Sequence, residues 1–182
     1  MRGDRFFNKG AKEMERATLA LTLGLSLFAN QASAGFETWS AEVEEDPFSG
    51  GKNVEIGYST SMRSGVFLSC NSSAKILTIK IITGWAYEPS LALISPEVEV
   101  MTDGKPIGKY SGRTGAFGDN VAGVIVELTG KNADRISQAF IASMTQIAFK
   151  DGISDRPHLL KAKGSTKTGH QMTLCLHGQG QT

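Results

Sequence analysis

The sequence is poor in the signatures that mark an enzyme. Its 182 residues contain three histidines and two cysteines. No Cys-x-x-Cys pair is present, which argues against a thioredoxin-like redox site. There is no Gly-x-Ser-x-Gly elbow, and no Gly-rich stretch is followed by Lys-Ser or Lys-Thr at the offset of a phosphate-binding loop. Excess charge of one sign is also missing: 19 basic residues face 18 acidic ones. A nucleic-acid surface calls for a strong basic excess, so no nucleic-acid partner is expected. No long apolar run follows residue 29. A spanning helix needs roughly 20 apolar residues, so no membrane span is expected after that point.

What is present begins with an export signal over residues 1–34. Arg2, Arg5, Lys9, Lys12 and Arg16 form a basic region diluted by Asp4, Glu13 and Glu15. Residues 17–29 are an uncharged apolar run of 13, too short to span a bilayer. Ala32, Ser33 and Ala34 then supply the small-x-small pattern that a signal peptidase accepts. Met14, Glu15 and Arg16 lead straight into the apolar run, and a chain starting at Met14 has a signal of ordinary length. Met14 is therefore the expected start.

Cleavage after Ala34 leaves residues 35–182 as one domain, with 14 basic and 15 acidic side chains. The expected location is periplasmic or secreted. Glu37, Glu42, Glu44, Glu45 and Asp46 make the first segment acidic. Arg156, Lys161, Lys163 and Lys167 make the last one basic. Two solvated edges account for this. So does a pair of chain ends lying side by side, or a charged partner on one of them.

The pattern is mostly β. Trp39, Ala41 and Val43 alternate along one strand, and Val54, Ile56 and Tyr58 along the next, with a turn cluster at 46–51 between them. Residues 64–70 and 75–84 form a second pair. The latter is the expected central strand, with Leu77, Ile79 and Ile81 on one face. Val98 and Val100 alternate before Asp103 and Gly104, a pair suited to the positive φ angles of a type I′ hairpin turn. Residues 111–120 are Gly-rich and read as a loop; 121–128 read as an apolar strand. One helix is expected over 133–144, capped by Asn132, with Ile136, Phe140 and Met144 on one stripe. Residues 145–149, 158–163 and 171–176 read as closing strands, with 164–169 as a loop. The expected fold is all-β with one helix, an antiparallel β-sandwich of eight or nine strands closed by a disulfide.

Candidate chemistry is thin. His170 and His177 stand seven apart, on opposite faces of a strand. With His158 they read as surface histidines, and no metal or cofactor is expected. Glu42 and Glu44 share a face, which reads as the polar side of an edge strand unless a cleft encloses it. Trp39, Phe48, Trp85 and Tyr87 lie at strand ends or in turns, where aromatics either pack or bind. Arg113 and Phe117 lie in the Gly-rich loop. Lys163 and Lys167 flank a short loop that either holds an anion or simply joins two strands.

The order of features resembles the small exported type VI secretion accessory (VasI-like) proteins of Gram-negative bacteria. These show a signal, a Trp-Ser strand, an Asp-Pro turn, a strand ending in Cys, a strand with an Asp turn, a short helix and a late second Cys. The matching stretches are Trp39-Ser40, Asp46-Pro47, Phe67-Leu68-Ser69-Cys70 and residues 98–104 and 162–176. A basic residue often precedes the first Cys in that group, where this chain has Ser69. The chain is also similar to the invasion-associated periplasmic β-proteins, whose cysteine pattern is richer. The resemblance implies a periplasmic β-sandwich and brings no catalytic residues. The first functional expectation is a non-enzymatic accessory protein that binds a cell-envelope or secretion-system protein. The second is a carbohydrate- or small-ligand-binding module using Trp85, Tyr87 and residues 112–118. A hydrolase is the third.

Cys70 and Cys175 both follow the signal, and in an oxidising compartment they are expected to pair. A loop of about 100 residues closed this way is worth at most roughly 4–5 kcal/mol. Reduction is therefore expected to lower the thermal midpoint, measured by calorimetry with and without reductant. An unchanged midpoint contradicts a stabilising bond.

Overall fold

A computed structural model describes residues 35–178, apart from Asp46, Ser49 and Asp155. The expected signal at 1–34 lies outside the described residues, as does the first half of the Asp46-Pro47 turn. In chain order the elements are β1 (Gly35–Phe36), β2 (Ser40–Glu45), β3 (Lys52–Ser61), β4 (Ser64–Asn71) and β5 (Ile76–Ala86). Then come β6 (Glu97–Thr102), β7 (Lys105–Ser111), β8 (Arg113–Phe117), β9 (Val121–Thr129) and α1 (Gly130–Ala142). The chain closes with β10 (Gln146–Lys150), β11 (His158–Lys161) and α2 (Ser165–His177). A short 3-10 turn at Pro89–Leu93 links β5 to β6.

Two sheets enclose one core. The larger has the order β1-β3-β4-β5-β9-β8, with β2 also on β3; the smaller runs β11-β10-β6-β7. All pairings are antiparallel except the short β1–β3 pair. Strand β5 is central, between β4 and β9. Its alternation is as expected: Leu77, Ile79 and Ile81 are fully buried, while Ile76, Thr78, Lys80 and Ile82 are half-buried on the outer face. Val98, Val100, Ile147, Phe149 and Leu160 of the smaller sheet join the same core. Asp103 and Gly104 make the expected turn, with φ of 48° and 77°.

The helices depart from expectation. There are two in the described residues, and the second replaces the expected loop and last strand. Ser165, Thr168, Gly169, Met172, Cys175 and Leu176 are its buried residues, a spacing of three and four that fits a helix and not a strand. Gly169 is there because α1 passes close by: a Cβ on it would lie 2.7 Å from Ile141 Cγ1. Helix α1 starts earlier than Asn132, because β9 pairs with β5 as far as Thr129 and Gly130, at φ 51°, makes the turn at once. Ile136 and Phe140 are buried, but Met144 lies beyond the helix and is 86% exposed.

Residues 113–117 are likewise a strand on β9 and not part of a loop. Gly123 of β9 admits an aromatic ring at close range: a Cβ on it would meet the Phe117 ring at 2.7 Å. Gly112, just before β8, lies as close to β9, where a Cβ would be 2.8 Å from Val124 Cγ1.

The acidic first segment and the basic last segment of the described residues do lie side by side. The Trp39 amide donates to the Lys163 carbonyl at 2.9 Å, and Lys161 pairs with Glu37 at 2.8 Å. Cys70 and Cys175 form the disulfide, which joins β4 to a helix and not to a final strand. Trp39 then stacks against Tyr58 and Phe140, with ring centroids 5.2 and 4.8 Å away.

Ile79→Asp places an unpaired charge in the centre of this core. It is expected to cost at least about 4 kcal/mol in urea denaturation, a large share of the about 5–15 kcal/mol of a typical domain. A variant that folds normally contradicts the placement of β5.

Candidate functional site

Strand β5 leaves its ladder just before it ends. Its register on β9 shifts between Ile82 and Ala86, and Gly84 inside that shift has φ 87°. Bulges of this kind re-aim side chains. Thr83 stabilises this one: its hydroxyl donates to the Ala122 carbonyl at 2.8 Å and accepts the Trp85 amide at 3.3 Å. Trp85 is turned outward and is 65% exposed.

Opposite lies the connection from β10 to β11, shaped by Asp151. This carboxylate has 0% exposure, yet it has a full set of donors. The amides of Ile153 and Ser154 donate to it at 2.9 and 2.7 Å, and the Ser154 hydroxyl at 2.7 Å. His158 Nε2 lies 3.0 Å away. A carboxylate only accepts, so the imidazole carries its proton on Nε2. Burial alone pushes the Asp151 carboxyl up. The hydrogen bonds from His158, Ser154 and the two amides outweigh it and hold the group below the usual carboxylate range. Gly152, at φ 74°, passes under Glu97, where a Cβ would lie 2.8 Å from a carbonyl.

Between these walls are two adjoining open hollows. The first, about 370 Å³, is lined by Ser64, Thr83, Trp85, Ser154, Arg156 and His158 among others. The second, about 340 Å³, shares Thr83, Trp85, Ser154 and Arg156. It adds an apolar side made of Ala86, Leu91, Ala122 and Ile153. Trp85 and Arg156 thus border both.

Of the candidate binding residues, only Trp85 lines this cleft. Tyr87 is half-buried, its backbone paired with Asn120. Phe117 stands in one cross-strand row with Val121 and Ala86, at the same end of the sheet but outside the lining. Arg113 pairs with Glu127 at 3.4 Å on β8. Lys167 is in the first turn of α2 and Lys163 just precedes the helix, where its carbonyl is taken by Trp39 and Thr38. The helix also puts His170 and His177 on one side, contrary to the strand reading. His177 bonds Asp134 at 2.8 Å. His158 is no surface histidine either, since only 11% of its side chain is exposed.

Ser154 and the pairing of Asp151 with His158 escaped the sequence reading, and Arg156 entered it only as part of the basic last segment. Asp151 and Gly152 were legible as a turn. A Ser three residues after an Asp is the signal that the carboxylate folds back on its own loop.

An Asp–His pair beside hydroxyls has the raw parts of a hydrolytic site. The decisive contact is not formed. Ser64 Oγ bonds Ser61 and Thr60, each at 2.7 Å, and the Ser154 hydroxyl is spent on Asp151 and the Arg156 carbonyl. Among the described residues, neither hydroxyl bonds His158, and no group of three His, Cys, Asp or Glu converges on a metal position.

The chain matches no family model. It matches no curated protein. Among solved structures it is similar to invasion associated protein b from Bartonella henselae, at 14% identity and a TM-score of 0.44. That similarity covers 74% of this chain and 90% of the other.

Asp151→Ala strands two amides and an imidazole, and is expected to cost about 3 kcal/mol. The wild-type carboxyl, held below its unfolded value near about 4, contributes stability above that pH and loses it as pH falls through the folded value. Urea denaturation from about pH 6 down to about pH 2 is expected to show that acid-side loss in wild type and a shallower one in the variant. Parallel curves contradict it.

Proposed function

We propose that this protein is a non-enzymatic accessory protein, periplasmic or secreted, that binds a protein of the cell envelope or a secretion system. The observation that carries this reading is Trp85. A large aromatic side chain turned outward by a backbone bulge, bordered by two hollows and an arginine, has the makings of a binding hot spot. The Cys70–Cys175 bond favours an oxidising compartment, in keeping with the signal expected at residues 1–34. Among the described residues no helix is long and apolar enough to cross a membrane. The resemblance to type VI secretion accessory proteins supplies the choice of partner class.

A carbohydrate-binding module is the second reading, and the same residue favours it, because an exposed indole also stacks on sugar rings.

Capture from periplasmic extract with wild type and Trp85→Ala, beside a glycan array, separates the two. The exposed position of Trp85 predicts an unchanged thermal midpoint for the variant. Wild type is expected to retain a specific envelope protein, with retention falling at least about tenfold for the variant. Retention unaffected by the substitution overturns the Trp85 site. Glycan binding without protein capture transfers the site to the second reading.

A further inference from the structure

The hydrogen-bonding groups of the cleft are unevenly free. The hydroxyls of Ser64, Thr83 and Ser154 are already engaged inside the protein. Asp151 is buried behind His158 and has four donors. No described acid lines either hollow. His158, its Nε2 on Asp151, keeps only Nδ1 as an acceptor, on a side chain 11% exposed. The exposed side-chain groups left for a ligand are therefore the Trp85 indole N–H and the Arg156 guanidinium, which makes no ion pair among the described residues. Both are donors only. A ligand must therefore supply the acceptors. The flat, five-donor fork of an arginine matches a two-oxygen anion best, through paired parallel hydrogen bonds. Across Trp85 from the polar hollow lies the apolar side built from Ala86, Leu91, Ala122 and Ile153. A polyhydroxylated ring gains little from that surface, whereas an aliphatic side chain is desolvated by it.

From this juxtaposition we infer that the Trp85 cleft reads a carboxylate carried by a peptide segment of the partner, next to an apolar side chain. Arg156 holds the carboxylate. Trp85 covers the peptide between the two hollows. Leu91, Ala122 and Ile153 receive the apolar neighbour. Asp151 and His158 act as positioning residues, since they fix the loop that carries Arg156 without spending its charge. This inference rests on the reading of the protein as a partner-binding module, and deepens it by naming what is recognised.

The protein has two tryptophans, of which Trp39 is buried and Trp85 exposed. The indole N–H signals in a nitrogen–proton spectrum therefore report the site separately, with Trp85→Phe as the assignment. The oxidised protein is titrated with two N-acetylated, C-amidated tripeptides, Leu-Glu-Leu and Leu-Gln-Leu, and with glucuronate. Leu-Glu-Leu is expected to shift the Trp85 signal, with Leu-Gln-Leu at least about tenfold weaker, since a charge-assisted bidentate contact is lost. Arg156→Gln is expected to erase that difference. Equal affinity for the two peptides, discrimination that survives in Arg156→Gln, a response to glucuronate alone, or no response to any probe overturns the inference. If partner capture needs Trp85 but not Arg156, the carboxylate reading fails and the binding function stands. If capture needs neither, the binding function fails at this site as well.

Discussion

The structure depends on how α2 is seated. A seven-stranded sheet faces a four-stranded one, and the smaller sheet leaves part of the inner face of the larger to be covered by other means. Helix α2 covers it at β3 and β4, placing Met172, Cys175 and Leu176 in the common core. Its fit is fixed at three points, two of them contacts too close for a larger residue and one a covalent bond. Gly164 passes over Trp39, where a Cβ would lie 2.2 Å from a carbonyl oxygen. Gly169 passes Ile141 of α1, and Cys175 is bonded to Cys70. The bond is worth at most roughly 4–5 kcal/mol, a large share of the about 5–15 kcal/mol that holds a typical domain. The last thirteen helical residues thus secure a core built mostly from the strands before them.

That arrangement explains which parts of the fold were legible in the sequence. Strands whose alternation is set by one buried face could be read directly: β5 through Leu77, Ile79 and Ile81, and the β6–β7 hairpin through Val98, Val100 and the Asp103 turn. In α2 the helical signal is diluted by Gly169 and three threonines, poor helix formers in isolation. Tertiary closeness requires the glycine, and no local rule weighs a neighbour as distant in sequence as Ile141. The six-residue window at 171–176 then alternates well enough to pass for a strand. Strand β8 was obscured for the same reason. Gly112 just before it, where a Cβ would lie 2.8 Å from Val124 of β9, reads as a breaker together with Gly115 and Gly118.

The site divides along the same line. Trp85 was legible because a tryptophan at a strand end is conspicuous wherever it occurs. Lys163 and Lys167 drew notice through charge, and the structure spends their segment on capping the helix and pairing with the chain start. Arg156 is an arginine in a short polar stretch, and nothing local distinguishes it. Its meaning comes from Asp151, five residues earlier and fully buried, which holds the amides of Ile153 and Ser154 beside it. Asp103 shows the same device on the surface. It accepts hydrogen bonds from the amides of Met144, Thr145 and Gln146 and from the Thr145 hydroxyl, which hold its carboxyl far below the usual range. Two of the chain's turns are thus organised by a carboxylate and not by glycine alone.

Strand β11 connects the cleft to the seat of α2. It has four residues. His158 at its start is held by Asp151 and lines the cleft. Leu160 is buried in the core. Lys161 at its end donates its amide to the Tyr58 hydroxyl and pairs its side chain with Glu37. Tyr58 in turn packs on Trp39, the residue beneath Gly164. From cleft to helix closure there is an unbroken series of hydrogen bonds and ring contacts over very few residues. A loop held this way loses little further freedom when it meets a ligand, so the ordering cost of binding is largely met by folding. The bond between Cys70 and Cys175 therefore bears on recognition as well as stability. By securing α2 it secures Trp39, then Tyr58 and β11, and with them the wall that presents Arg156 to Trp85.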